Sequence, residues 1–195
     1  GGFSDFFRTF FGGGFDSARA QPRARRGQDI EHALEISLDE AYRGTTRLLQ
    51  KDGRRLEIKI PAGVKTGSKI RYAGEGAPGS SGASSGDLFV RVQIAPHPIF
   101  EREGDDLRCE VPVDLYTALL GGEVNVPTLK GQLALKIPAE TPVGKIFRLA
   151  GQGMPKLNTP NAFGDLYAQA RVVLPEHLTP SERTLFEQLA QMRRR

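Results

Sequence analysis

The sequence predicts a mainly β fold: two small β-sandwich-like domains in tandem, each with short helical turns, followed by a C-terminal α-helix. The first observation behind this prediction is an internal repeat, in which residues 60–76 (IPAGVKTGSKIRYAGEG) align without a gap with residues 137–153 (IPAETPVGKIFRLAGQG). The second is the alternation of apolar and polar residues along short segments, which is the pattern of half-buried strands. A repeat of this length is too long for a solenoid unit and indicates two copies of one small domain.

The repeat continues on both sides of this segment. Downstream the alignment shifts by one residue and pairs the Gly-Asp-Leu motif at 86–88 with the one at 164–166. Upstream the aligned pairs are Leu38 with Leu115, Ala41 with Ala118, and Gly44 with Gly121. We therefore expect four segments: an arm and linker (1–29), a first domain (30–99), a second domain (100–176) and a C-terminal helix (177–195). The two domains are called the first copy and the second copy below.

The first segment differs from the two copies in composition. Residues 1–15 contain six phenylalanines among glycines, and residues 16–29 are polar and rich in arginine. Glycine makes ordering entropically costly, and no helical or strand periodicity compensates for that cost. We therefore expect this segment to be disordered, with phenylalanines that suit docking on a groove or a partner.

In the first copy, each predicted element has a local signature. Apolar and polar residues alternate from Ile30 to Ile36, which predicts a strand. Ser37-Leu38-Asp39-Glu40 has the form of a capping box for a single helical turn, which Gly44 ends. An Asp-Gly hairpin turn follows the second strand. The further strands are predicted at residues 45–50, 56–60, 69–72 and 88–94.

The second copy repeats this order and adds one element. A helical turn is predicted at 115–120, and the strands are predicted at residues 107–113, 123–127, 132–137, 146–150 and 166–173. Residues 180–192 have helical periodicity instead, with Leu185, Phe186 and Leu189 on one face and Thr179 or Ser181 as the cap. The first copy has no counterpart of this helix.

The net charge of +4 lies mainly at the two ends of the chain. Five arginines fall within residues 1–26 and three close the chain at 193–195, so the part between is nearly neutral. Basic ends suit nucleic acid or acidic partners, and they equally suit simple solvated tails. No run of about 18 apolar residues and no signal-peptide pattern is present. The single cysteine, Cys109, is consistent with a cytoplasmic location.

Residue combinations typical of catalysis are missing from the sequence. The three histidines, His32, His97 and His177, have no partner at i, i+4 spacing, and one cysteine allows no multi-cysteine zinc site. The Gly-x-Gly sequences of the repeat lack the remaining residues of a phosphate-binding loop. We therefore expect no metal, no cofactor and no enzymatic activity, and we interpret the chain as a binding protein.

The first two predicted strands of the first copy offer an apolar surface. Alternation puts Arg47, Leu49 and Lys51 on one face of the second strand, and His32 and Leu34 on one face of the first. Two interpretations remain open at this point. Either the leucines fill the core, or they line a shallow groove that holds an extended apolar peptide by strand addition.

These features together resemble the C-terminal half of DnaJ-type (J-domain) co-chaperones. The resemblance rests on the Gly/Phe-rich arm, the two strand–helical turn–Gly–strand units that end in Ile-Pro-Ala, the two Gly-Asp-Leu strands and residues 149–155 (LAGQGMP). It covers essentially the whole chain. Each motif alone is weak, whereas their combination is specific.

Two departures from the family define the subtype. Zinc-finger members insert four Cys-x-x-Cys-x-Gly-x-Gly motifs after the second strand of the first domain, where this sequence has the tight turn 51–54. The chain therefore resembles the zinc-free, CbpA-like members. The His-Pro-Asp signature of the J-domain is also missing, because His97-Pro98 is followed by Ile99. The sequence thus resembles a fragment that binds clients without stimulating a DnaK-type ATPase.

The resemblance implies site residues and partners. In the family, unfolded segments lie in an apolar groove between the first two strands of the first domain. The positions that match this groove here are His32, Leu34, Arg47, Leu49 and Lys51. The C-terminal helix matches the dimerisation segment, with Leu185, Phe186 and Leu189 against a second chain; packing of the helix on its own domain is the alternative. The implied partners are unfolded or misfolded polypeptides, a DnaK-type chaperone and a second copy of this chain, with no membrane.

Two other functions stay open. CbpA-like relatives are known for DNA binding, and the arginines within residues 19–26 and at 193–195 favour such a nucleoid-associated role. A purely structural assembly module is the other possibility, and it would form dimers without protecting clients from aggregation.

Overall fold

A computed structural model describes residues 24–51 and 53–193, which contain eleven strands and three helices. The helices are α1 (Leu38–Arg43), α2 (Leu115–Leu120) and α3 (Pro180–Arg193). The strands are β1 (Ile30–Ile36), β2 (Thr45–Lys51), β3 (Arg54–Ile60), β4 (Lys69–Tyr72), β5 (Leu88–Ile94), β6 (Glu101–Glu103), β7 (Asp106–Asp114), β8 (Gly122–Thr128), β9 (Gly131–Ile137), β10 (Ile146–Leu149) and β11 (Leu166–Val173). The predicted mainly β fold with a C-terminal helix is confirmed.

Each copy contains one larger sheet and one hairpin. In the first copy the strand order is β1-β5-β4, with β2-β3 as the hairpin. In the second copy the order is β10-β11-β7-β6, with β8-β9 as the hairpin. β7 runs parallel to β11 and antiparallel to β6. Among the described strands, the counterparts β1 and β7 therefore differ in position, because β1 lies at a sheet edge whereas β7 has a neighbour on each side.

The short helices begin as the sequence predicts. The Ser37 hydroxyl accepts a hydrogen bond from the Glu40 backbone N–H (3.1 Å), and the Glu40 carboxylate accepts one from the Ser37 N–H (2.9 Å), which confirms the capping box. Asp114 caps α2 by accepting from the Thr117 N–H at 2.9 Å. Thr179 pairs with Glu182 in the same reciprocal way at the start of α3.

A carboxylate network explains the Gly-Asp-Leu motif in the first copy. The Asp87 carboxylate is buried and accepts hydrogen bonds from the Gly74 N–H (2.9 Å) and the Arg71 guanidinium (2.8 Å). Arg26 forms a second ion pair with it at 2.9 Å, and the Asp87 N–H donates to the Asp29 carboxylate at 2.7 Å. The bond from Gly74, followed by the two arginines, holds the pKa of Asp87 below its usual range.

The second copy repeats the network with one cation fewer. Asp165 accepts from the Gly151 N–H at 2.9 Å and pairs with Arg148 at 2.6 Å, while its own N–H donates to Asp106 at 2.7 Å. The Gly151 bond and then Arg148 keep the pKa of Asp165 below its usual range. Glu103 stands at the repeat position that matches Arg26. The same turn is thus fixed in the same way in both copies.

The end of the predicted linker is held against a loop of the first copy. The Gly27 N–H donates to the Ser84 carbonyl at 2.9 Å, and the Gln28 carbonyl accepts from the Ala77 N–H at 2.8 Å. The Arg26 side chain also donates to the Ser85 carbonyl at 3.4 Å. The Gly/Phe-rich arm, for which disorder is predicted, lies outside the described residues.

The described chain divides into two compact units. One comprises the residues up to His32 together with Lys69–Val90, and it contains the Asp87 network. The other comprises Ala33–Ser68 and the residues from Arg91 onward, and it contains both hairpins and the second copy. The domain boundaries predicted from the repeat, 30–99 and 100–176, remain a prediction.

Candidate functional site

The predicted groove residues of β1 are half-buried. His32 and Leu34 lie on the same face of the strand as Ile36, and only Ile36 is fully buried. The alternate residues Glu31, Ala33 and Glu35 are exposed. This face of β1 is therefore neither a closed core nor an open surface.

The predicted groove residues of β2 share one face of the β2–β3 hairpin. Arg47 lies opposite Ile58, Leu49 opposite Leu56, and Lys51 opposite Arg54. Ile58 is buried and Leu49 and Leu56 are half-buried, so this face is the inner one. On the other face Leu48 is 67% exposed. The hairpin thus presents Leu49 and Leu56 between cationic side chains.

Glu40 links the start of α1 to the predicted groove. One of its carboxylate oxygens accepts from the Thr45 hydroxyl at 3.3 Å and forms an ion pair with Arg47 at 2.7 Å. The capping bond with Ser37, followed by Arg47, holds the pKa of Glu40 below its usual range. Arg47 is therefore oriented by a carboxylate that the helix cap itself fixes.

Strands β1 and β2 each have one edge that pairs with no other strand of the described residues. Within the described residues β1 pairs only with β5, and β2 pairs only with β3. Strand addition uses a sheet edge beside apolar side chains: main-chain bonds give affinity, and alternate side chains fill pockets.

The matching positions of the second copy are more deeply buried. His32 and Leu34 correspond to Cys109 and Val111, which are 6% and 2% exposed. Leu49 corresponds to Val126, which is fully buried. The same framework therefore encloses smaller residues in the second copy and leaves larger residues accessible in the first.

The predicted dimerisation residues form an apolar stripe on α3. Leu185 and Leu189 are 59% and 58% exposed. Phe186 lies against Tyr116 of α2, with 6.3 Å between the ring centroids. With Glu182, these four residues line a shallow pocket of about 150 Å³. The helix thus contacts its own copy through Phe186 while Leu185 and Leu189 remain accessible.

Helix α2 also carries exposed apolar residues, and one of them, Tyr116, contacts α3. Tyr116, Leu119 and Leu120 are large and exposed. The signal is in the repeat itself, because the second copy reads LYTALL where the first reads LDEAYR. Comparing the two helices position by position would have identified these residues.

Two potentially reactive side chains outside the predicted groove, His97 and Cys109, take part in packing and hydrogen bonding within the fold. His97 accepts hydrogen bonds from the Ile99 and Phe100 N–H groups through Nδ1, both at 3.1 Å, and stacks on Phe100. Burial raises the pKa of the Cys109 thiol. In the part of the chain that the structure describes, no group of three or more His, Cys, Asp or Glu side chains is placed to hold a metal ion. The helices described there are too short or too polar to span a membrane.

Two tandem β domains of common origin, followed by a helix, define the chain as a duplicated β protein. Residues 30–175 match the family described as DnaJ C terminal domain. The chain belongs to this family, as its sequence motifs indicate.

Several named proteins align in sequence with most of this chain. It is 39% identical over 206 residues to a "Curved DNA-binding protein" of Coxiella burnetii, with 97% of this chain and 64% of the relative covered. It is 39% identical over 189 residues to "Chaperone protein DnaJ 2" of Thermus thermophilus, covering 97% and 65%. A "Chaperone protein DnaJ" of Burkholderia mallei is 49% identical over 138 residues, covering 71% and 36%. The chain thus spans just under two thirds of the length of the first two relatives.

Proposed function

We propose that this chain binds unfolded polypeptide segments, prevents their aggregation and delivers them to a DnaK-type chaperone in the cytoplasm. In this proposal residues 30–99 hold the client, residues 100–176 form the second domain, and residues 177–195 join two chains. The role is one of binding without catalysis. The observation that carries the proposal is the contrast between half-buried Leu34 and Leu49 in the first copy and their buried counterparts in the second.

The mechanism is reversible burial of client side chains. An extended client segment adds to the edge of β1 or β2 that pairs with no other described strand, and its Leu, Ile or Phe side chains cover Leu34 and Leu49. Fully burying one such side chain is worth about 1.5–3 kcal/mol, so a few contacts give weak, reversible binding. His32 of β1 and Arg47 and Lys51 of β2 are the polar members of the proposed groove.

A homodimer would strengthen this binding. Leu185 and Leu189 of α3 line one shallow pocket with Tyr116 of α2, so an exposed apolar surface is available to a second chain. Two chains joined there present two grooves, and a long client that engages both gains from effective concentration.

The test combines client protection with molecular mass. The protein is mixed with a chemically denatured client, and light scattering follows aggregation while multi-angle scattering gives the oligomeric mass. We expect suppressed aggregation by a dimer. A dimer that fails to suppress aggregation would instead support a structural assembly module. Transfer of the bound client to a DnaK-type chaperone with ATP tests the delivery step separately.

DNA binding is a second candidate, because two groups of relatives bear the name "Curved DNA-binding protein". Arginines within residues 19–26 and at 193–195 would supply the contacts. One of them, Arg26, is already paired with Asp29 and Asp87. A steep fall of DNA affinity with salt concentration would support this function, and its absence would leave client binding alone.

A further inference from the structure

The loop after β3 differs between the copies in a way that client binding does not explain. In the first copy Gly63 and Val64 are buried. In the second copy Glu140 stands at the position of Gly63 and is exposed. Both residues have positive φ, 87° for Gly63 and 58° for Glu140, so the backbone conformation is shared. Some feature of the surroundings therefore selects glycine in the first copy.

That feature is a loop of the second copy, residues 155–163. A Cβ atom added to Gly63 would lie 2.5 Å from the Pro155 carbonyl oxygen and 2.9 Å from the Leu157 nitrogen. Real Cβ atoms essentially never approach backbone atoms so closely. Glycine is thus required because two backbone segments meet there, and not only because of its φ angle.

The end of the same loop makes a second contact with the first copy. Phe163 lies against Tyr42 of α1, with 6.2 Å between ring centroids. Lys130 lies over the Phe163 ring, with its Nζ atom 4.0 Å from the ring centroid and 2.7 Å from the Gly151 carbonyl oxygen. These contacts hold the Phe163 ring in place.

Arg102 of β6, in the second copy, adds a third contact, with the loop that contains Gly63. Its guanidinium donates to the carbonyls of Val64 (2.6 Å), Gly63 (3.2 Å) and Gly104 (2.8 Å). The side chain is 12% exposed, and burial lowers the pKa of Arg102. A buried guanidinium that donates to three carbonyls fixes those carbonyls relative to one another. Lys65 and Asp105 add an ion pair at 3.0 Å.

We propose that Gly63, Arg102 and Phe163 are positioning residues that lock the β2–β3 hairpin and the second copy into one rigid body. The loop that contains Gly63 follows β3 directly, and α3 follows the last strand of the second copy. The lock therefore sets where Leu49 lies relative to the helix that joins two chains. This purpose rests on the proposed function, because fixed spacing of two grooves raises the effective concentration for a client that spans them.

The proposed lock is tested by measuring a distance within one chain, and this measurement requires no bound client. Spin labels are placed at Thr46→Cys and Lys136→Cys in a Cys109→Ser background, and labelled protein is diluted with unlabelled protein to isolate distances within one chain. We expect one narrow distance distribution, broadened by Arg102→Gln and by Gly63→Glu. Glu140→Gly, the reverse change in the second copy, should leave it narrow. A distribution that stays narrow in both Arg102→Gln and Gly63→Glu would overturn the lock.

Its purpose is tested by clients of two lengths. For Arg102→Gln we expect the Kd of a short peptide with one apolar segment to stay within about twofold, and binding of a long client with two such segments to weaken about tenfold. Equal weakening of both would contradict a positioning role. If the unmodified protein binds neither client, the proposed function fails, and the distance measurement still decides whether the lock exists.

Discussion

Strands β1 and β7 occupy the same place in the two copies but present different surfaces. The inward residues of β7, from Leu107 to Val113, are all buried. On β1 only Ile36 is buried, and His32 and Leu34 remain half-accessible. The carboxylates of Asp87 and Asp165 nevertheless accept the same bond from a glycine N–H, that of Gly74 or Gly151. The two copies thus keep counterpart strands and the same aspartate turn. They differ in how deeply the side chains of β1 and β7 are buried.

The short helices show a second divergence. α1 carries Asp39 and Arg43 where α2 carries Tyr116 and Leu120. The second copy therefore has an apolar surface for the C-terminal helix, and the first has a charged one. Client binding and self-association would then reside in different copies.

The largest expected effect is the loss of self-association when the apolar stripe of α3 is changed. Leu185→Asp with Leu189→Asp should convert a dimer into a monomer, because two charges would be buried at the interface. Analytical ultracentrifugation measures the change. Gln191→Asp, which adds charge on another face of the helix, is the control and should leave the dimer intact. A double variant that stays dimeric would place the interface elsewhere.

The next largest expected effect is the loss of thermal stability when the carboxylate network of either copy is broken. Asp87→Asn and Asp165→Asn should both lower Tm, and Asp87→Asn should lower it more because Asp87 pairs with Arg26 as well as Arg71. Scanning calorimetry measures the difference. Hydrogen exchange at residues 24–29 should rise only for Asp87→Asn. Equal losses in the two copies would show that Arg26 adds nothing to the network.

The carboxylates of Asp87 and Asp165 also predict how the stability of the fold depends on pH. Their pKa values are lowered in the folded state, so the stability they contribute is present above the ordinary Asp pKa of about 3.9 and is lost as the pH falls through the lower folded values. Urea unfolding at pH 7 and pH 3 should therefore show a smaller difference for Asp87→Asn with Asp165→Asn than for the unmodified protein. An unchanged difference would assign the acid sensitivity to other groups.

A smaller effect concerns the helix cap of the first copy. Ser37→Ala removes the capping hydroxyl of α1 and should cost about 1 kcal/mol of unfolding free energy. Peptide affinity should stay the same, because Glu40 still orients Arg47. Denaturant melts measure the stability, and a fluorescence titration measures the affinity. A large affinity loss would mean that the cap, and not Glu40 alone, shapes the groove.

The sequence predicted most of the framework because its signals are local. Alternation identified β1, the Ser37–Glu40 pair identified the start of α1, and the Asp-Gly turn identified the β2–β3 hairpin. Strand β6 was missed, since three residues between charged neighbours carry no periodicity. The contact of Gly63 with residues 155–157 was missed because it depends on packing between distant segments, whereas the apolar residues of α2 could have been identified by comparing the two helices of the repeat. The groove residues themselves came from the family resemblance, and their role stays a prediction.

The most direct test of the account is a titration of the two faces of β1 and β2 with a fluorescent apolar peptide. Leu34→Asp with Leu49→Asp places two charges on the inner face, and Ala33→Asp with Leu48→Asp places the same two charges on the exposed face of the same strands. Circular dichroism confirms that each variant is folded. We predict that the inner-face variant weakens binding at least about tenfold and that the outer-face variant changes it by less than about twofold. An unchanged titration for the inner-face variant, or equal losses for both, would contradict a client groove in the first copy.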